Sequence, residues 1–191
     1  MDIVAWRRET RAVRYALREA MTAEQRHDAA RKIAAGLDRY CADHKPGRIG
    51  LYWPIKHEPN LFAWARERSI ELQFCLPVVV ARGQPLEYWP CPSGDAMRSG
   101  VWGIQVPSHR DVVMPNLMIA PLVGFDRARY RLGNGGGYFD RTLASLVDRP
   151  FVIGVGYSCR ELATIHPKPH DIPMNMILTE RSRWNRTSLT P

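Results

Sequence analysis

Two stretches of the chain are apolar at nearly every position. Residues 117–123 (LMIAPLV) and 151–155 (FVIGV) show no alternation of hydrophobic and polar side chains, the pattern of strands covered on both faces. Shorter runs at 49–53, 72–80, 86–89 and 176–179 predict further strands, and the prolines around 86–89 place that one at a sheet edge. Helical spacing fills the intervals. Val13, Ala16, Leu17, Ala20 and Met21 form one face of a basic amphipathic helix over residues 2–20, with Arg7, Arg8, Arg11, Arg14 and Arg18 filling much of the rest. Thr22 and Gln25 read as a capping box that opens a second helix, whose buried stripe is Ala30, Ile33, Ala34 and Leu37. Asn60 caps a helix through Leu61, Trp64 and Ala65, and a last helix runs over 138–147. Helices alternating with apolar strands predict an α/β layered fold around a largely parallel sheet. No repeat, low-complexity tract or linker divides the chain, so residues 1–191 read as one domain.

Composition narrows the class. Apolar residues are 45% and charged residues 24%, which is ordinary globular usage and excludes collagen, coiled coil and bulk disorder. No apolar run reaches the ~18 residues of a spanning helix. Charges in the first fifteen residues stand where a signal peptide needs its apolar stretch, so export is not expected. Cys41, Cys75, Cys91 and Cys159 make no CxxC pair and read as reduced packing residues of a cytoplasmic protein. The net charge of +8 suits an anionic partner, or only keeps the surface solvated. Nucleic acid is not the expected partner, because RNP, KH and zinc-finger signatures are missing.

The segment richest in chemistry is Arg131-Leu-Gly-Asn-Gly-Gly-Gly-Tyr-Phe-Asp-Arg141. It follows a buried strand and opens a helix. Four glycines in five positions let the backbone bend freely and approach a ligand closely. Unpaired N–H groups at a helix start then offer an anion site, although a plain flexible connection has the same composition. The Lys-Ser/Thr of a P-loop is missing, and Tyr138 breaks the GxGxxG pattern. Asp140, in the first helical turn, either complements the helix dipole or ligates Mg2+. Arg131 and Arg141 either clamp phosphate or face water. Glu58 and Trp53 follow a strand end, where open α/β sheets bind ligands; a solvated acid and a core ring are the plainer readings. His166-Pro-Lys-Pro-His-Asp171 holds two imidazoles and a carboxylate in an extended chain, without the third strong ligand that zinc needs. No GxSxG elbow or cysteine nucleophile context is present.

Taken together these segments are similar to the 5-formyltetrahydrofolate cyclo-ligases, or methenyltetrahydrofolate synthetases. The likeness is carried by residues 124–141, by MTAEQR at 21–26, LYWPIKHE at 51–58, Leu76-Pro77, Trp102-Gly-Ile104 and His170-Asp-Ile-Pro173, in order over almost the whole length. The resemblance implies a three-layer α/β/α fold and an ATP- and Mg2+-dependent closure of 5-formyltetrahydrofolate to 5,10-methenyltetrahydrofolate, releasing ADP and phosphate without a protein nucleophile. It implies that ATP is held by Arg7, Arg11, Arg131, Leu132, Gly133, Asn134, Gly135, Gly136, Gly137, Tyr138 and Phe139. Folate would face Trp53, Glu58 and Tyr138, and Mg2+ would be held by Asp140 and Asp171. A monomer acting on small molecules, with no membrane partner, is expected; a binder of folate or nucleotide without turnover is the alternative. The chain departs from the family where Arg7 replaces a common lysine, Arg129 a usual turn glycine, Val78 a frequent arginine, Val106 a common glutamate and Asn175 a frequent aspartate.

Overall fold

In the computed structural model, which describes residues 1–91 and 97–185, the chain opens with two helices, α1 (Ile3–Glu19) and α2 (Ala23–His44). The Asp2 carboxylate accepts from Val4 N and Ala5 N at the start of α1. The predicted capping box holds: Gln25 N donates to Thr22 Oγ1, and Thr22 N donates to Gln25 Oε1. Then come β1 (Arg48–Gly50), α3 (Phe62–Arg68), β2 (Gln73–Val78), β3 (Glu87–Pro90), β4 (Met97–Ser99) and β5 (Gln105–Pro107). The second half holds β6 (Leu117–Pro121), β7 (Gly124–Asp126), β8 (Arg131–Leu132), α4 (Tyr138–Ser145), β9 (Phe151–Val155), β10 (Glu161–Leu162), β11 (Met176–Leu178) and β12 (Arg183–Asn185). Asn60 supplies its cap bond from two residues before α3, accepting from Phe62 N at 3.0 Å.

The central sheet has the order β12-β11-β9-β6-β1-β2-β3. Its five inner strands pair in parallel, and β3 and β12 join antiparallel at the two edges. Alternate residues of β6 serve opposite layers. Leu117 and Ile119 pack with Ile33, Leu37 and Tyr40 of α2 and Trp64 of α3. Met118 and Ala120 pack with Leu143 of α4 and Phe125 of β7. This is the expected arrangement of helices on both faces of a mostly parallel sheet.

Two features differ from the sequence reading. The apolar run at 117–123 does not lead straight into the glycine loop: the antiparallel hairpin β7–β8, joined by β10, intervenes. The second concerns α1, whose apolar face turns outward. Val13 and Leu17 are 57% and 47% exposed, while the buried residues of the helix are Arg7 and Arg18. Arg7, Arg11, Arg14 and Arg18 recur at the i, i+4, i+7, i+11 spacing of one face, and that face meets the body. Hydrogen bonds to carbonyl groups, rather than apolar burial, decide its orientation.

Candidate active site

β1 lies between β2 and β6, so the chain reverses its winding direction between β1 and β6. Crevices beyond the carboxyl ends of strands at such a reversal are where open α/β sheets bind ligands. Past β1 the chain makes a tight turn with Lys56 (φ 46°) and His57 (φ 57°) both left-handed, at about 1–2 kcal/mol per residue. Glu58 holds the turn: its N–H donates to Ile55 O at 3.0 Å, and its Oε2 accepts from Ile55 N at 3.1 Å. The turn carries the Glu58 side chain inward, to 4% exposure, so it is not a solvated loop acid. Burial pushes its carboxyl above the ordinary range, against the opposing pull of the Ile55 N–H, Asn134 and Arg18.

The loop that follows β8 faces Glu58. Gly135 (φ 104°) and Gly137 (φ 65°) are left-handed, conformations that glycine adopts without steric cost. Gly137 ends the loop as the N-terminal residue flanking α4, with no side-chain cap, and so leaves backbone N–H groups of the helix start unclaimed by side chains. Asn134, Gly135 and Gly136 are exposed at the tip. The root of the loop is braced by α1: Arg11 Nε donates to Gly133 O at 2.8 Å, and Tyr15 OH donates to Asn134 Oδ1 at 2.6 Å. Asn134 Nδ2 then donates to Glu58 Oε1 at 3.1 Å. Arg18 closes the circuit, donating to Lys56 O (3.1 Å) and Leu122 O (2.9 Å) and lying 3.8 Å from Glu58 Oε1.

The carboxylates flank this circuit. Asp140 Oδ2 pairs with Arg131 Nη2 at 3.0 Å, and its Oδ1 accepts from Ile172 N at 3.2 Å. Asp171, one residue before, pairs with Arg7 and accepts from Lys168 N. Burial pushes the Asp171 carboxyl up, but the Arg7 guanidinium and the Lys168 N–H outweigh it and hold the group below its ordinary value. Arg7 also donates to Ile165 O and His166 O. Among the described residues no three His, Cys, Asp or Glu side chains gather in a metal-binding group. Two carboxylates beside an anion-accepting loop do fit a hard cation that takes its other ligands from water and phosphate.

The remaining predicted residues spread around the loop. The Arg131 guanidinium lies over the Phe139 ring at 5.1 Å, and Arg141 over Tyr138 at 5.1 Å. Leu132 turns its side chain into the interior, 1% exposed. Trp53 is half-buried edge-on to Phe62, 4.8 Å between centroids, beside the α2–α3 core. Tyr138 meets Trp102 edge-on at 5.6 Å. Sequence reasoning missed Tyr15 and Arg18. The arginine spacing on α1 pointed to Arg18; nothing local pointed to Tyr15, whose partner is 119 residues away.

The architecture is shared with known proteins. The NMR structure of Aquifex aeolicus 5,10-methenyltetrahydrofolate synthetase is similar at a TM-score of 0.82 and 27% identity, over 94% of this chain and 92% of that one. The fold is thus that of the methenyltetrahydrofolate synthetases. The chain is 26% identical over 172 residues to the 5-formyltetrahydrofolate cyclo-ligase of Haemophilus influenzae, covering 85% of this chain and 91% of that protein. It is 35% identical over 144 residues to that of Mycolicibacterium smegmatis, covering 70% and 73%. The model of the 5-formyltetrahydrofolate cyclo-ligase family matches residues 3–180. The chain belongs to the 5-formyltetrahydrofolate cyclo-ligase family, and it is an enzyme of the ligase type.

Proposed function

We propose that this chain binds ATP on the loop 131–139 with Arg7 and Arg11, binds 5-formyltetrahydrofolate against Glu58, Trp53 and Tyr138, and closes it to 5,10-methenyltetrahydrofolate. The observation that carries the reading is Asn134, which belongs to the glycine loop and donates to buried Glu58 at 3.1 Å. One side chain thus separates the anion-accepting backbone from the acid that would face the pterin. Phosphoryl transfer to a formyl oxygen needs that proximity.

The chemical difficulty is that a formyl oxygen is a poor leaving group. Attack of that oxygen on the γ-phosphorus breaks the bond to ADP and leaves an imino-phosphate. The N10 lone pair then attacks the formyl carbon, the C–O bond breaks, phosphate departs and the N10 proton is lost. No protein nucleophile is required; positioning and charge neutralisation supply the rate. Backbone N–H groups of 135–138 and the guanidiniums of Arg7 and Arg11 would hold the triphosphate. Glu58 would accept hydrogen bonds from pterin N–H groups. Asp140 and Asp171 would hold Mg2+, whose charge, when bound, neutralises phosphate oxygens.

The test is ADP release from Mg-ATP that depends on added 5-formyltetrahydrofolate, followed together with the near-ultraviolet absorbance of the methenyl product. Folded protein that binds both ligands and produces neither signal would leave a binding protein in place of the enzyme.

A further inference from the structure

Arg160 ends the short helical turn Ser158–Arg160 that follows β9. It is fully buried, 0% exposed. Its Nε, Nη1 and Nη2 are all buried without a hydrogen-bond partner. The buried Nε atoms of Arg14 and Arg18 are in the same state. Among the described residues, five of the nine buried side-chain polar atoms without a partner therefore belong to these three arginines. Arg14 and Arg18 lie close enough for their charge to act on Arg160, and Arg14 Nη1 donates to Cys159 O, beside it, at 2.9 Å. Two carboxylates border this neighbourhood: Glu58, shared by Arg18, Asn134 and Ile55 N, and Glu180, which accepts from Ser158 N and Ser158 Oγ; neither makes a hydrogen bond to Arg160. Three guanidiniums around unused donors, with no carboxylate bonded to Arg160, are an unstable arrangement unless an anion joins them.

We infer that Arg14, Arg18 and Arg160 form an oxyanion site beneath α1, taking a phosphate or carboxylate group. Guanidinium forks match both groups geometrically. Arg160 and the Nε atoms concerned make no bond to the glycine loop that would carry ATP; Arg18 reaches that loop only through Glu58 and Asn134. On α1, Arg14 and Arg7 lie along one edge of the basic face, and Arg11 and Tyr15, which brace the loop, along the other. Entry to a buried site requires α1 to lift. The helix buries no apolar residue, and Val4, Val13 and Leu17 are exposed. Its docking therefore rests on polar contacts that an arriving anion can replace and strengthen.

The experiment compares wild type with Arg160→Met, measuring thermal unfolding and amide exchange in α1 with sodium phosphate, sodium acetate or sodium chloride at equal ionic strength. In wild type, phosphate or acetate should slow exchange of the Arg14–Arg18 turn, about tenfold at ten times its Kd, and chloride should not. A response to acetate but not phosphate would mark a carboxylate ligand, and the reverse a phosphate. Arg160→Met should lose this response while any response of residues 133–137 persists. Without anion it should melt above wild type, because an unpaired buried charge has been replaced by an apolar chain. If Arg160→Met melts below wild type and responds to anions as wild type does, Arg160 is a satisfied structural residue, any phosphate is an adventitious ion only, and the inference is overturned. If the variant does not fold, the wild-type exchange decides alone: no slowing in α1 with either oxyanion refutes the site.

Discussion

Val78 of β2 and Val106 of β5 meet in one small buried cluster with Trp89. These are two of the positions at which the sequence reading expects a departure from the family, with arginine and glutamate respectively as the expected residues. The departures are therefore neighbours. An apolar contact stands where the resemblance would put opposite charges, an exchange that is often neutral or stabilising in a buried setting. Val78→Arg alone, or Val106→Glu alone, should cost about 3–5 kcal/mol, the cost of a buried charge without a partner. The double variant should recover at least about 1 kcal/mol of the summed loss. Urea unfolding of the four proteins measures this, and strict additivity would show that the two positions are not a swapped pair.

Arg11 braces the loop through Gly133 O. Losing a charged hydrogen bond of this kind removes about 1.5–3 kcal/mol, so Arg11→Ala should lower kcat/KM for ATP roughly tenfold or more. Arg11→Lys keeps the charge but not the planar fork and should recover only part of it. Unchanged steady-state ADP release in Arg11→Ala would remove the loop from the ATP reading.

Asp140→Asn keeps an acceptor for Ile172 N and withdraws the negative charge facing Arg131. The expected result is a folded protein whose half-saturating Mg2+ concentration rises, with activity partly restored by excess Mg2+. A Mg2+ titration of ADP release that superimposes on wild type would exclude Asp140 as a ligand.

Glu58 and Asp171 should give opposite pH dependences. Burial raises the Glu58 value above its ordinary 4.5, so its folded form holds a proton more tightly. The stability it contributes is full below about pH 4.5 and is lost as pH climbs through the raised value. Arg7 and Lys168 N, outweighing burial, lower the Asp171 value below 3.8. Its contribution is full above that pH and is lost as pH falls through the lowered value. Glu58→Gln should therefore gain on wild type as pH rises above about 4.5, and Asp171→Asn should lose on wild type as pH rises towards about 3.8 and hold level above it. Parallel unfolding curves against pH for the two variants would contradict these assignments.

Much of this architecture was legible in the chain because apolar patterning reports burial directly. β6 and β9 are buried on both faces and read as unbroken apolar runs; α2 carries both its cap and its stripe in local sequence. α1 misled for a physical reason. Its inward face is built of arginines that reach carbonyl oxygens, so its apolar residues mark the side facing water. The hairpin β7–β8 was hidden because β8 has only two residues, too few to show a period. Glu58 was found through its place after a strand, but its burial follows from the Lys56–His57 turn and Arg18, which no local pattern announces. The left-handed Arg129 (φ 68°) has the backbone conformation that suits the turn glycine the resemblance leads one to expect there. Here arginine keeps the turn, and its Nε donates to Met174 O.

The contacts of α1 also set an order of assembly. Arg11 and Gly133 are 122 residues apart, and Arg7 and Asp171 are 164 apart. During translation the amino-terminal helix leaves the ribosome long before either of these mates exists, and its apolar side, which ends up facing water, has no place in the body to anchor it. Arg18 can meet Lys56 O and Leu122 O earlier, but the contacts of Arg7 and Arg11 wait until the last third of the polypeptide has been made. A nascent chain halted before the glycine loop thus lacks both the braced loop and the inner strands β9 and β11, so a prematurely terminated product would not acquire a working catalytic cleft.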